Sequence, residues 1–258
     1  MKIYLFGIFL CLWFCAASAQ ETRKLFVGFE TGITTIEGEI SKMENIRGRV
    51  SRYEDSYSPI DLGNFVSRQF VGIKTEFFTT NNKVGVMSGV RLTRISGSVG
   101  QDDFWSSNSD YFYFLLREDG LNTNYLRVKE INQISNYVGI PLEVRYFPFK
   151  PRLFRVFFKL AVEANYLYKT NTDVAFYDPA MNQFEMELTS QFEQPKAYTF
   201  AAYAGGGIRY GRNSKPSVSI EANAPYFVLT PQSSGLVNPE MGFGIQLNFQ
   251  IPINSKEK

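Results

Sequence analysis

Apolar side chains recur at every second position in eight separate stretches of the chain. A period of two places the apolar residues on one face of a β-strand and the intervening residues on the other face. In the stretch 153–169, for example, every even-numbered residue from Phe154 to Tyr166 is apolar. The pattern predicts eight strands, at residues 24–34, 67–79, 83–95, 135–147, 153–169, 196–211, 216–229 and 240–251.

The lengths of these strands and of their connections favour one architecture. Soluble strands average about five or six residues, whereas tilted strands that cross a membrane need about 9–11, and several of the predicted strands reach that length. Short turns are expected at 81–82, 149–152 and 212–215, and long polar segments at 35–66, 96–134, 170–195 and 230–239. Outer-membrane barrels alternate in this way between short periplasmic turns and long extracellular loops. We therefore expect an all-β fold, a closed antiparallel transmembrane β-barrel of eight strands.

The face opposite to the apolar one is charged and rich in glycine. Glycine weakens a strand and benefits a solvated face little, but a narrow closed barrel needs small residues beside large ones on its inner wall. A balance of acidic and basic residues also suits a closed interior, where an unpaired charge is costly. The sequence predicts a lumen charge network of Glu30, Lys74, Glu76, Arg91, Glu143, Arg145, Lys159, Glu163, Arg209 and Glu221.

Aromatic residues cluster near the ends of the predicted strands. Two girdles of aromatic side chains mark the interfaces of membrane barrels, and aromatic residues are also common in strands of any kind. We assign to the girdles Phe77, Phe78, Tyr146, Phe147, Phe149, Phe154, Tyr166, Tyr168, Tyr198, Tyr210, Tyr226 and Phe227.

The beginning of the chain has the pattern of a secretory signal peptide. Lys2 is followed by an apolar run over residues 3–15, which is too short to span a membrane as a helix. Small residues at 17–19 fit a cleavage site. We expect residues 1–19 to be a signal peptide and residues 20–258 to form the barrel domain. Both cysteines, Cys11 and Cys15, lie in the signal, so the mature chain would use no disulfide.

The residue types limit the chemistry that the chain can perform. It contains no histidine, the usual general base and a common metal ligand. No phosphate loop or dinucleotide fingerprint is present either. We expect no enzymatic activity, no catalytic residues, no cofactor and no bound metal. With 27 basic and 25 acidic residues, the charge gives no support for a nucleic-acid partner.

The longest connection, residues 101–133, contains two short strand patterns, at 111–116 and 125–128. Asp119 and Gly120 lie between them as a turn signal. We expect a hairpin that extends the barrel wall beyond the membrane; an alternative inserts the pair in the membrane and makes ten strands. Phe104, Trp105, Tyr111 and Tyr113 are candidate partner contacts, although they could equally pack the hairpin onto neighbouring loops.

Two segments carry a family resemblance. Residues 137–147, YVGIPLEVRYF, resemble a strand of the PorT-like outer-membrane β-barrel proteins of Bacteroidota. Residues 241–247, MGFGIQL, are similar to the closing strand of that family. The resemblance implies an eight-stranded barrel like the small OmpA- and OmpX-type domains, located in the outer membrane of a Gram-negative cell.

Three functions remain open at this point. The first is a monomeric structural or binding barrel, surrounded by outer-membrane lipid, whose extracellular loops contact an extracellular or envelope protein or a polysaccharide. The second is a small pore or a transport- or secretion-associated barrel, although eight strands leave an interior just wide enough for side chains. The third is a secreted, soluble, lipocalin-like β-barrel.

Overall fold

The computed structural model describes residues 25–47, 62–79, 82–101, 111–119, 122–149, 153–211, 215–230 and 235–253. The strands are β1 (Leu25–Ile40), β2 (Ile46–Arg47), β3 (Leu62–Phe78), β4 (Val84–Gln101), β5 (Phe112–Asp119), β6 (Asn122–Tyr146), β7 (Phe154–Phe176), β8 (Tyr198–Tyr210), β9 (Ser217–Val228) and β10 (Val237–Pro252). Two 3-10 helices (Met43–Asn45 and Pro179–Phe184) and a short helix α1 (Glu185–Thr189) complete the elements. The predicted signal peptide lies outside the described residues.

Eight of the strands close into one ring. Neighbours pair antiparallel in the order β1, β3, β4, β6, β7, β8, β9 and β10. The ring closes because β10 pairs with β1, which places Phe29 opposite Phe249. The predicted closed antiparallel barrel of eight strands is therefore confirmed.

The two ends of the barrel differ in their connections. The short links 79–83, 147–153 and 211–216 share one end with the start of β1 and the end of β10. We call this the turn end and the opposite one the loop end. The links 41–61, 177–197 and 229–236 belong to the loop end, as does the connection that contains β5. Among the described residues, no helix is long and apolar enough to cross a membrane.

The strand β5 extends the wall at the loop end. The 25 residues of β6 pair with two strands in succession. Its lower part pairs with β4 as far as Gly100 opposite Glu130, and its upper part pairs with β5 from Phe112 opposite Val128. Thus β5 takes over the position of β4 along β6 and does not join the ring. The expected hairpin extension is confirmed, and the ten-strand alternative is wrong.

The outward face of the ring is apolar over a continuous zone, which we call the apolar belt. Phe158, Leu160 and Ile220 are 60%, 69% and 60% exposed there. On β4 the belt runs from Val84 to Leu92, about 27 Å along the strand at about 3.4 Å per residue. Toward the loop end, the outward position that follows the apolar run is polar on each of five neighbouring strands. These polar residues are Thr35, Gln69, Arg94, Asn136 and Lys169.

Five strands, β1, β3, β4, β6 and β7, continue by five or more residues beyond their predicted bounds at the loop end. Their apolar residues change face there: Ile33 of β1 points outward and is 49% exposed, whereas Ile36 points inward and is buried. The outward residue next to it, Glu37, is exposed. A pattern with one constant apolar face ends at this change. For this reason β1, β4 and β7 were predicted to end near residues 34, 95 and 169, whereas they end at 40, 101 and 176.

Candidate functional site

The turn end of the interior is filled by an aromatic plug of four buried side chains, Phe26, Phe78, Phe147 and Phe157. The ring centroids of Phe78 and Phe147 are 5.4 Å apart, and those of Phe147 and Phe157 are 5.2 Å apart. Assigning Phe78 and Phe147 to the membrane girdle was therefore wrong. Their positions in the alternation place them on the inner face, since Phe77 and Tyr146 occupy the outward positions beside them.

The ten charged residues of the predicted network all lie inside the barrel. Each of these residues is at most 2% exposed. Strand geometry explains this placement: Glu143 and Arg145, for instance, alternate with Leu142, Val144 and Tyr146, which face outward. Burial of so many charges requires that they pair, because each ion loses its hydration.

Arg91 lies at the centre of the network. Its Nε and Nη2 donate to the two carboxylate oxygens of Glu30, both at 2.8 Å. Its Nη1 pairs with Glu163, and its Nη2 lies 3.2 Å from Glu143. Lys74 joins the same acids, with Nζ 2.6 Å from Glu30 and 3.1 Å from Glu143.

A second group of charges lies toward the turn end. Glu221 accepts from Arg145 at 2.5 Å and from Lys159 at 2.6 Å. Lys159 also donates to the amide oxygen of Gln246 at 3.1 Å, and the amide nitrogen of Gln246 donates to Glu30 at 2.8 Å. Gln246 therefore joins the two groups. Arg209 pairs with Glu76 at 2.7 Å.

The network connects the whole ring. The hydroxyl of Tyr203, on β8, donates to Glu143 at 3.0 Å and accepts from Arg91 at 3.2 Å. With Glu221 on β9 and Gln246 on β10, every ring strand contributes at least one member. Removal of one partner from a buried pair costs about 3–5 kcal/mol, because it leaves a charge uncompensated.

Sequence reasoning missed two interior arginines. Arg68 pairs with Glu163 at 2.5 Å and is 2% exposed. Arg155 is also 2% exposed and lies over the ring of Phe147, 4.9 Å from its centroid. Both were within predicted strands and in phase with recognised interior charges, Arg68 with Lys74 and Arg155 with Lys159. The alternation alone could have identified them.

The loop end of the interior is an apolar cap. It brings together inward residues of the wall, such as Ile36, Val99 and Ile131, with Phe114 of the hairpin. Leu188 of α1 and Phe192 close the space between them and are 0% and 4% exposed. Tyr203 and Tyr226 stack between this cap and the charges, with ring centroids 5.5 Å apart. Tyr226 is 3% exposed, so its assignment to the membrane girdle was also wrong. Apolar side chains thus lie at both ends of the charged network.

Outside the barrel, the hairpin and the residue that follows β7 carry a group of aromatic and basic side chains. We call it the tyrosine patch; its members are Tyr111, Tyr113, Tyr125, Tyr177, Arg127 and Lys129. Tyr111 lies 4.6 Å from Tyr177 and 5.4 Å from Tyr113 between ring centroids. The Arg127 guanidinium lies over both Tyr111, at 5.7 Å, and Tyr177, at 5.2 Å. Tyr125 and Tyr177 are 40% and 39% exposed.

Of the four candidate contact residues, Tyr111 and Tyr113 belong to this patch, and Phe104 and Trp105 lie outside the described residues. Sequence reasoning missed the other members. Register brings them together, because Tyr113 is opposite Arg127, and the amide of Tyr177 donates to the carbonyl of Arg127 at 2.9 Å. The one available signal was that 125–128 is the second strand of the hairpin.

Acidic side chains are the principal candidates for metal ligands in the described part of the chain, which contains no histidine or cysteine. No three acidic, cysteine or histidine side chains come together there as metal ligands. The interior carboxylates are all bound to arginine or lysine or to neutral donors. Such groups hold the wall together and are not placed against an open cleft.

No protein-family model matches the chain, and no curated protein matches it in sequence. Among solved structures, it is similar to the outer membrane protein OprG from Pseudomonas aeruginosa, with 13% identity over 89% of this chain and 93% of that chain and a TM-score of 0.40. The E. coli outer membrane protein W shows 9% identity over 91% and 100% of the chains, with a TM-score of 0.35. The Ralstonia pickettii toluene transporter TbuX shows 11% identity over 91% and 90%, with a TM-score of 0.24.

Proposed function

We propose that this chain is a monomeric, non-enzymatic β-barrel of the outer membrane of a Gram-negative bacterium, exported with removal of residues 1–19. We further propose that it binds a partner protein of the envelope or cell exterior through the tyrosine patch. One observation carries the membrane assignment: the barrel is apolar outside and charged inside. The PorT-like resemblance of residues 137–147 supports an origin in Bacteroidota.

The distribution of polarity separates this proposal from a soluble, lipocalin-like barrel. A soluble barrel would bury its apolar face and expose its charges to water. Here Ile73, Leu160 and Phe249 are 64%, 69% and 44% exposed, while Glu30 and Arg91 are fully buried. An exposed apolar zone that encircles the molecule is far larger than the patches of soluble monomers. Lipid is the medium that such a surface requires.

The interior argues against a conducting pore. An eight-stranded wall encloses a space that side chains can fill. An ion crossing this lumen would meet the aromatic plug, then a network whose charges already pair with one another, and then the apolar cap. We infer that the barrel acts through its surface and not through its lumen.

The tyrosine patch supports a binding role. Tyrosine and arginine are enriched at the centres of protein interfaces, where they bury large areas and still form hydrogen bonds. The patch lies on the hairpin that projects beyond the apolar belt, where a partner has access. Cation–π contacts of about 0.5–1 kcal/mol each order its side chains before binding.

Heat modifiability tests the membrane barrel. A closed barrel without free strand edges resists detergent until it is boiled. Unboiled protein from the membrane fraction should therefore migrate faster on a denaturing gel than boiled protein. Equal mobility, together with recovery in the soluble fraction, would contradict the proposal and favour the soluble barrel.

Photocrosslinking in intact cells tests the binding role. A photoreactive residue at position 125 should capture a partner. The same photoreactive residue at position 149 should not capture that partner, because Phe149 is exposed at the turn end, where its exposed fraction is 65%. Tyr177→Ala should weaken the capture at 125 and leave the heat-modifiable band unchanged. If the attached partner resists protease but is degraded by glycosidases, the partner is a polysaccharide and not a protein. Equal capture at both positions would refute the patch.

A further inference from the structure

A groove crosses the outer wall where the apolar belt approaches the loop end. Its volume is about 620 Å³. The walls include Ile33, Val71, Leu92 and Leu247, each between 43% and 49% exposed. The small side chain of Thr31 lies between Leu247 and Val71 in the strand register, and its hydroxyl donates to the carbonyl oxygen of Phe70 at 3.1 Å. The bond ties the Thr31 side chain to the wall, and Thr31 lines the groove between its larger neighbours.

A row of polar residues borders the groove on its loop-end side. Gln69 is opposite Arg94, Arg94 is opposite Asn136, and Asn136 is opposite Lys169. Residues that face each other across antiparallel strands have Cβ atoms about 4.5–5.5 Å apart, so the four side chains form one continuous row. Three of them, Gln69, Arg94 and Asn136, also line the groove.

The row is cationic, and no acid in the described part of the chain compensates its charges. It contains two cations, two amides and no acid. Neither Arg94 nor Lys169 lies within ion-pair distance of any acidic side chain that the structure describes. Farther along β7, Asp173 already accepts two hydrogen bonds from Asn171, both at 2.9 Å. The interior cations, by contrast, are almost all paired.

We propose that this groove is a binding site for a lipid with a phosphate headgroup, drawn from the surrounding leaflet. An acyl chain would lie in the groove over Thr31, and the phosphate would contact Arg94 and Lys169, with Gln69 and Asn136 donating from their amides. The site rests on the proposed membrane insertion, because lipid is the component of a bilayer that reaches the belt. Arginine and lysine are the common phosphate-binding side chains.

Basic side chains at a membrane rim can also reach the headgroups of any lipid without selecting one. The groove distinguishes a selective site from this general attraction, because it adds a shaped apolar surface directly beside the two cations. A selective site should therefore need both parts, the charges and the open groove. General attraction to the rim should need neither the groove nor these particular cations.

Native mass spectrometry of the mature, full-length barrel in dodecyl maltoside micelles tests the charges. We expect one molecule of dioleoyl phosphatidic acid to be retained and dioleoyl phosphatidylcholine to bind more weakly. Each cation near an anionic headgroup contributes about 1 kcal/mol, so Arg94→Gln and Lys169→Gln should each weaken phosphatidic acid about fivefold. Lys83→Gln removes an exposed cation at the turn end and should change nothing.

A pair of threonine variants tests the groove. Thr31→Trp should fill it and abolish retention without altering any charge. Thr75→Trp is the matched control: Thr75 also belongs to the belt, and its hydroxyl donates to the carbonyl of Ser88 at 3.3 Å, but it does not line the groove. Glycerol 3-phosphate, which has no acyl chain, should not displace the lipid.

Three results would overturn the site: equal retention of the two lipids, undiminished binding by a variant that carries both Arg94→Gln and Lys169→Gln, or displacement by glycerol 3-phosphate. Heat modifiability of the same samples separates this outcome from a failure of the membrane proposal. A heat-modifiable barrel that enters vesicles and binds no phosphatidic acid refutes the lipid site alone. A protein that never inserts refutes the membrane barrel and the lipid site with it.

Discussion

Neutralising Glu163 is the most direct perturbation of the interior network. Its carboxylate accepts from Arg68 at 2.5 and 2.7 Å and also pairs with Arg91. Among the described residues Glu163 is the one acid within ion-pair distance of Arg68, whereas Arg91 also has Glu30 and Glu143. Glu163→Gln therefore leaves the Arg68 guanidinium, 2% exposed, without a counter-charge. We expect the free energy of unfolding to fall by about 3–5 kcal/mol.

A second substitution shows whether the uncompensated charge of Arg68 causes the loss of stability. Arg68→Met added to Glu163→Gln removes the uncompensated guanidinium and keeps an unbranched side chain in its place. The double variant should be more stable than Glu163→Gln alone, although it differs from the natural chain at two positions. Urea unfolding in phosphatidylcholine vesicles, followed by loss of the heat-modifiable band, measures both.

Glu37→Gln is the control for this pair, because Glu37 is an exposed carboxylate on β1 beyond the belt. It should change the free energy of unfolding by less than about 0.5 kcal/mol. A free energy of unfolding for Glu163→Gln within that same margin of the natural protein would contradict the proposed role of the Glu163 charge. A double variant less stable than the single one would also contradict it, because the interior would then not be dry enough for charge balance to matter.

Three further predictions address the belt, the lumen and the hairpin. Leu160→Arg places a cation on the lipid face and should cost about 2–4 kcal/mol in the same urea assay; unchanged stability would contradict the belt. Planar bilayers should show no conductance steps for the natural protein or for Phe147→Ala, since the charged network still fills the lumen when the plug is opened; steps in the natural protein would contradict the closed interior. Proteinase K on intact cells should cleave near Gly120, at the junction of β5 and β6, and leave the heat-modifiable barrel intact; full protection of a correctly inserted protein would contradict the exposed hairpin.

Much of the barrel could be predicted because a strand has a period of two. Once Leu142 and Val144 are assigned to one face, Glu143 and Arg145 must lie on the other. The same rule applied to Arg68 and Arg155 would have added both to the interior. The ion pairs between these side chains could not be predicted from the sequence. Glu163 and Arg68 are 95 positions apart in the chain, and only the register and closure of the ring bring them together.

The tyrosine patch shows a similar division. The hairpin and its turn could be predicted from two short strand patterns. Tyr177, however, directly follows β7 and joins the patch only because β6 pairs with both β5 and β7. A contact made by register between distant strands leaves no local pattern. Tyr111 and Tyr113 were therefore predictable as members of the hairpin, and Arg127 and Lys129 as their partners were not.

The sequence by itself determined that the chain forms long alternating strands and that one face of each is apolar over the length of the belt. It could not determine what covers an apolar side chain, because the alternation is the same whether lipid or protein lies against it. Ile33 and Ile36 illustrate this on one strand, the first facing outward in the belt and the second packed in the cap with Phe114 and Leu188. Only the closed ring and the elements folded over its loop end decide where the apolar side chains pass from the outer face to the interior. In the proposed membrane orientation, water surrounds the barrel at that height and requires polar residues on the outer face.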